Sequence, residues 1–437
     1  MTESSAAGDV AQEVAALTSA AAGNWRRAGV AGAAIGVIAA GAAAGVAIER
    51  LTVGRGMRKK ARLALDSSGP YGGLRGTPGT ALADDGTELY YETDEVEPEE
   101  SAKPAKGAKG GKAAKAATSA AAPRRRRLFG RRTPAPVTVV FSHGYCLNQD
   151  SWHFQRAALR GLVRTVHWDQ RSHGRSARGA SQRGPGAVAV TIDQLGRDLK
   201  AVIDAAAPEG PLVLVGHSMG GMTIMALADQ YPELIRERVV GVAFVGTSSG
   251  KLGEVNYGLP LAGVNAVRRI LPGVLKALGS QADLVERGRR ATADLFAGLI
   301  KRYSFSSKDV DPAVVRFAER LIEGTPIDVV AEFYPAFTDH DKTAALGVFL
   351  DVPALILAGV SDLVTPSSHS EAIADLLPDA ELVLVPDAGH LVMLEHPEAV
   401  TDRLADLLAR VGAVPTETNV DTYGTTAQPG TTAQPGS

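Results

Sequence analysis

Ser218 stands where a hydroxyl could act as a nucleophile. It is the centre of Gly216-His217-Ser218-Met219-Gly220, after the apolar run Leu212-Val213-Leu214-Val215 and before a helix expected from Gly221 to about Gln230. A serine between glycines on a sharp strand-to-helix turn is a nucleophile elbow. The turn lifts the hydroxyl over the end of the strand and sets it at a helix N-terminus, which favours developing negative charge. A serine is weakly nucleophilic on its own and needs a base, held by a third group. The base expected is His390, in Pro386-Asp387-Ala388-Gly389-His390, and the acid is Asp362, in Gly359-Val360-Ser361-Asp362. His396 competes with His390 but falls in the first turns of the last helix. Asp387 competes with Asp362 but lies three residues from His390 and suits a turn. Asp339 and Asp341 are weaker candidates for the acid.

These three residues need strands behind them. Leu382-Val383-Leu384-Val385 and Ala354-Leu355-Ile356-Leu357-Ala358 are short apolar runs, each a buried strand that ends just before its candidate. Active sites in open α/β sheets form at that carboxyl end. Val137 to Phe141 is another such strand and leads into Ser142-His143-Gly144-Tyr145. Further strands are expected at about 163–168, 211–215 and 238–246, with helices at 191–207 and 218–230.

The chain is similar to the serine α/β-hydrolases of the esterase/lipase type over roughly residues 80 to 412. The likeness rests on five motifs. They are His143-Gly144-Tyr145, the turn Asp169-Gln170-Arg171-Ser172-His173-Gly174-Arg175-Ser176, Gly216-His217-Ser218-Met219-Gly220-Gly221, Gly359-Val360-Ser361-Asp362 and Gly389-His390. The resemblance implies the order Ser, acid, His. It also implies an α/β-hydrolase fold: a mostly parallel sheet, helices on both faces, and a helical cap inserted after the sixth strand. It assigns the oxyanion hole to the backbone N–H groups of Met219 and Tyr145. His143 then reads as a hydrogen-bonding residue that shapes its loop. In the Asp169 turn the chain departs from the family at Ser172 and His173. That turn reads as structural. Ser218 argues against the dehalogenases and epoxide hydrolases of this fold, which carry Asp there.

Composition agrees. Of 437 residues, 45% are hydrophobic, enough for a large core, and a formal charge of −2 gives no overall pull toward nucleic acid. Cys146 is the only cysteine, so no internal disulfide and no cysteine-rich zinc site can form. It reads as a packing residue. No metal or cofactor is expected.

The N-terminal third is harder to read. Residues 1–27 form an alanine-rich mobile tail. Ala28 to Ile48 carries no charged or polar side chain and is long enough to span a bilayer as a helix at about 1.5 Å per residue. It is a candidate transmembrane helix. Residues 49–79 are a basic linker, with Arg50, Arg55, Arg58, Lys59, Lys60 and Arg62 against Glu49. The positive-inside rule then places the hydrolase on the cytoplasmic side. Without that helix the enzyme is expected to be simply cytoplasmic.

The first part of the core is expected at 80–250, with a turn and first strand at Ala83 to Glu92. A disordered acidic-then-basic insert at 93–135 is expected to stand in for the usual second strand or hairpin. Its Lys103 to Lys115 repeat and Arg124 to Arg132 run suit anionic lipid better than nucleic acid. The helical cap is expected at 251–345, the second part of the core at 346–412, and a disordered repeat tail at 413–437.

The reading is a serine hydrolase that cleaves an apolar carboxylic ester or lipid through an acyl-enzyme. Its expected partners are a small-molecule ester and, through the N-terminal segments, a membrane surface. An acyltransferase or a cofactor-free peroxidase would use the same triad. A non-catalytic membrane or nucleic-acid adaptor would use the basic insert instead.

Overall fold

A computed structural model describes residues 71–96, 136–183, 187–255, 302–307 and 309–413. The N-terminal tail, the candidate membrane helix, residues 49–70 of the basic linker, residues 97–135 of the insert, residues 414–437 of the repeat tail and residues 256–301 of the expected cap therefore lie outside the described residues. Among the described residues, no helix is long and apolar enough to cross a membrane.

The sheet has eight strands: β1 (Thr77–Leu82), β2 (Glu88–Asp94), β3 (Thr138–Ser142), β4 (Arg164–Trp168), β5 (Leu212–His217), β6 (Val239–Val245), β7 (Ala354–Gly359) and β8 (Glu381–Val385). Their order across the sheet is β1-β2-β4-β3-β5-β6-β7-β8. β1 and β2 form an antiparallel hairpin, and β2 lies antiparallel to β4. From β4 to β8 every pairing is parallel. The central strands are apolar on both faces because helices cover both. Val139, Phe141, Val213 and Val215 face one layer, while Val140, Leu212 and Leu214 face the other.

One expectation is corrected here. The strand read as the first is β2, and β1 precedes it across a turn at Asp84-Asp85. The hairpin is thus complete before the insert, which replaces no strand. The core accordingly opens at Thr77 rather than residue 80.

Between β3 and β6 lie α1 (His153–Leu159), α2 (Ile192–Ala206), α3 (Met219–Gln230) and α4 (Pro232–Arg238). α3 begins two residues before the expected Gly221. Between β6 and β7 lie α5 (Pro312–Glu323) and α6 (Ile327–Thr338). After β7 come α7 (Ser367–Leu376), α8 (Val392–Glu395) and α9 (Pro397–Arg410). Val329, Phe333 and Ala336 of α6 share a small core with Met219 and Met222 of α3, and with Tyr145 at its margin. The helical insertion therefore packs directly on the elbow.

Candidate active site

Ser218 joins β5 to α3 with φ 51° and ψ −118°. A non-glycine residue at positive φ is strained by about 1–3 kcal/mol and needs its surroundings to hold it. They do. Its N–H donates to Val245 O at 2.9 Å, and its carbonyl accepts from Gly221 N at 2.9 Å and Thr247 Oγ1 at 2.7 Å. A Cβ on Gly220 would lie 2.2 Å from Ser142 O, so the elbow can press against β3 only with glycine there. The serine is almost buried, at 6% exposure.

Asp362 follows β7 and His390 follows β8, and the fold brings them together. Asp362 Oδ2 lies 2.8 Å from His390 Nδ1, and Asp362 Oδ1 accepts from Val364 N at 2.8 Å and Thr365 N at 2.9 Å. Burial acts to raise the Asp362 carboxyl. The His390 ring and the two backbone N–H groups outweigh it and hold the group below its ordinary range. It is therefore ionised at neutral pH, and His390 Nδ1 carries the proton it accepts. The rival histidine is elsewhere: His396 Nε2 lies 3.2 Å from Asp387 O. Asp387 has φ 51°, a turn conformation. His340 and Asp341, next to Asp339, sit where the helical insertion rejoins the core. There His340 Nε2 donates to Ser248 O at 2.8 Å.

The serine side and the histidine side meet through His217. Its Nε2 donates to His390 O at 2.9 Å, and the two rings lie 4.8 Å apart. A Cβ on Gly246 would touch His390 O, Asp362 Oδ2 and His217 at 3.5 to 3.6 Å, so all three surround one point. No hydrogen bond joins Ser218 Oγ to His390 Nε2 among the described residues. Catalytic contacts are often long until substrate arrives.

The loop after β3 closes over the elbow. A Cβ on Gly144 would lie 2.6 Å from His217 Nδ1 and 3.2 Å from Ser218 Cβ. His143 is fully buried. Its Nε2 accepts from Gln170 N at 2.9 Å, so its Nδ1–H points to Gly144 O at 2.7 Å. Burial, then the neighbouring His173, pushes the His143 pKa well down and keeps the ring neutral. The N–H groups of Tyr145 and Met219 are the candidate oxyanion donors, and among the described residues neither gives a backbone hydrogen bond. The Tyr145 hydroxyl donates to Val330 O of α6. Cys146, partly exposed, follows at φ 58°.

Three residues escaped the sequence reading. His217 occupies the variable place of the elbow motif. Thr365 places its hydroxyl 2.9 Å from Asp362 Oδ2, three residues after the acid it serves. Glu395 accepts from Ser306 N, Ser307 N and Gly389 N at 2.9, 2.7 and 2.6 Å, clasping the His390 loop. Thr365 carried a local signal, a Thr spaced to bond a carboxylate in the preceding turn. The other two carried none, because their partners are distant in sequence. Among the described residues no group of His, Cys, Asp and Glu is arranged to hold a metal ion.

Residues 137–397 match a family model described as the alpha/beta hydrolase fold. The chain is 28% identical over 274 residues to the dihydrolipoyllysine-residue acetyltransferase component of the acetoin cleaving system of Pseudomonas putida. That alignment covers 62% of this chain and 63% of the other. It is 29% identical over 274 residues to an sn-1-specific diacylglycerol lipase of Mus musculus, covering 62% of this chain and 80% of the lipase. The chain thus spans less than two thirds of the first of these relatives. Among solved structures, an enol-lactonase from Burkholderia xenovorans superimposes with a TM-score of 0.52 at 22% identity, covering 76% of this chain and all of that one. A thermophilic esterase from Thermogutta terrifontis gives the same TM-score and identity, covering 76% of this chain and 98% of the esterase. At that identity the structures speak to the fold.

Proposed function

The chain belongs to the α/β-hydrolase fold family, and from that membership we propose that it is a serine hydrolase cleaving an apolar carboxylic ester or lipid. Ser218 Oγ attacks the carbonyl carbon while His390 Nε2 takes its proton. Asp362 holds His390 in the tautomer that can accept it and stabilises the imidazolium that results. The carbonyl oxygen becomes an oxyanion facing the N–H groups of Met219 and Tyr145. Collapse breaks the C–O bond, and His390 returns the proton to the departing alcohol. Water then repeats the sequence on the acyl-Ser218 ester. The observation that carries this reading is the 2.8 Å contact of Asp362 with His390, beside a serine held at positive φ.

A fluorophosphonate probe tests it. The protein should be labelled at Ser218 and should hydrolyse p-nitrophenyl esters. Ser218→Ala should lose both by several orders of magnitude while keeping the wild-type thermal transition, since the triad acts as a unit. Esterase activity persisting in Ser218→Ala would end the proposal. The relative named as an acetyltransferase component favours a second reading, in which an alcohol or thiol replaces water in the second half. Added acceptors that divert the acyl group from hydrolysis would favour it.

We further propose that Ala28 to Ile48 anchors the enzyme in a membrane. The chain should then sediment with membranes and resist extraction by high salt, because salt screens charge but leaves a buried helix in place. Extraction by salt alone would point to the basic insert as the attachment.

A further inference from the structure

The turn Asp169 to Ser176, read from the sequence as structural only, reaches the oxyanion loop through His173. His173 Nδ1 lies 2.9 Å from Arg171 O and must donate to it, which leaves Nε2 an acceptor. That acceptor receives Cys146 N–H at 3.3 Å. Cys146 sits at φ 58°, a region that disfavours any residue with a Cβ, so its conformation has to be imposed. The peptide before Tyr145 is already pinned. Its carbonyl, Gly144 O, accepts from His143 Nδ1 at 2.7 Å and Leu147 N at 3.2 Å. In a trans peptide the N–H points opposite to the carbonyl, so those two bonds direct Tyr145 N–H the other way. The peptide after Tyr145 is pinned by His173.

We propose that His173 is a positioning residue for the oxyanion hole, holding Cys146 in its left-handed conformation so that Tyr145 N–H stays aimed at the developing negative charge. The proposal rests on the hydrolase reading above. His173 has a rigid base. Arg171, whose carbonyl it bonds, is fully buried and held by Asp198 at 2.6 Å and Asp85 at 2.9 Å. From above, Phe333 of α6 packs edge-on against the ring at 4.9 Å. Burial, aided by the Arg178 charge, depresses the His173 pKa to about 4, so the acceptor nitrogen is kept free of a proton at neutral pH. Without the ring, the backbone bond that opposes the strain at Cys146 is lost, and a shift toward negative φ carries Tyr145 N–H off its aim.

The test compares His173→Leu, which removes the acceptor, with His173→Gln, which keeps one, and with Cys146→Gly added to the leucine variant. Glycine accepts the left-handed conformation without strain. Fluorophosphonate labelling of the wild type comes first: its absence overturns the hydrolase reading and this role with it. With labelling in place, His173→Leu should lower kcat by about 10- to 100-fold, with KM changed by less than about 2-fold. Affinity for a trifluoromethyl ketone, which forms a tetrahedral oxyanion on the serine, should fall in parallel. His173→Gln should recover most of the loss, and adding Cys146→Gly to His173→Leu should restore part of it. A leucine variant that folds only together with Cys146→Gly supports the same role. Unchanged kcat in His173→Leu, unchanged ketone affinity despite a slower rate, or no recovery in either second variant overturns it while leaving the hydrolase reading intact.

Discussion

On one wall of the site His143, His173 and His217 are buried and bond only backbone groups; on the other, His390 meets the carboxylate of Asp362 at 2.8 Å. The residue type is the same and the tasks differ. Burial without a hydrogen-bonded carboxylate makes the charged ring expensive, so the first three stay neutral and serve as fixed donors and acceptors. Their pKa values lie well below the ordinary range, at about 4 for His173 and about 3 for His217. In the proposed reaction His390 must take and return a proton, and Asp362, 2.8 Å away, is the partner that would welcome the charge. Both walls combine close packing with hydrogen bonds. A Cβ would lie 2.2 Å from Ser142 O at Gly220 and 2.3 Å from Ala388 O at Gly359. Hydrogen bonds hold Ser218 on one side, and Asp362 and Glu395 hold the His390 loop on the other.

The sharpest way to break this contrast is to remove the counter-charge. Asp362→Asn should lower kcat on the order of 10³- to 10⁴-fold in ester hydrolysis, because the amide favours the wrong His390 tautomer. Asp387→Asn, in a turn conformation that asparagine tolerates, should leave kcat near wild type. Reversed effects would move the acid to Asp387.

The second test addresses packing against hydrogen bonding. Gly220→Ala forces a Cβ to within 2.2 Å of Ser142 O and should cost about 3 kcal/mol or more in urea unfolding. Glu395→Gln keeps an acceptor and its shape, and should cost about 1–2 kcal/mol. Equal costs would mean that close packing at Gly220 is no harder to replace than the hydrogen bonds of Glu395.

Acid gives the smallest and most graded effect. Each neutral histidine has a folded pKa below its ordinary 6.5. The unfolded chain therefore binds protons that the folded one refuses. This contribution is complete above about pH 6.5 and is lost as pH falls through the folded values of about 4 and 3. Each ring supplies a slope of up to about 1.4 kcal/mol per pH unit. Asp362, also depressed, adds a loss of the same sign below its ordinary 3.8. Urea midpoints measured at pH 7.5, 6.5 and 5.5 should be level at first and then fall. Asp169, raised to about 6 by burial, offsets part of this loss, while the likewise depressed His153, His167, His340 and His369 add to it. Midpoints that rise toward pH 5.5 would overturn the expectation.

Much of this was legible in the sequence because it is written locally. The central strands are short runs of Val, Leu and Ile buried on both faces, and few other structures suit such runs. Ser218 announces itself through flanking glycines, and Asp362 and His390 through their places after strands. β1 was missed because Thr77-Pro78-Gly79-Thr80 has no apolar stripe. As an edge strand it is held by its ladder to β2 rather than by a buried face. Glu395 and His173 were illegible for another reason. The groups they fix, Ser306 and Cys146, lie 89 and 27 residues away, and a hydrogen bond to a backbone N–H leaves no mark on the identity of its donor.

The sheet also sets where the basic segment joins the core relative to the candidate triad. The described residues on either side of that segment are Val96 and Pro136. Asp94, just before Val96, pairs with Thr165 at the start of β4, and Thr138, just after Pro136, pairs with Arg164 and Leu212 at the starts of β4 and β5. Ser218, Asp362 and His390 follow the opposite ends of their strands. The described residues that flank the basic segment thus lie at the end of the sheet opposite the candidate triad. A change at the sites where that segment joins the core is therefore expected to leave kcat in ester hydrolysis near wild type.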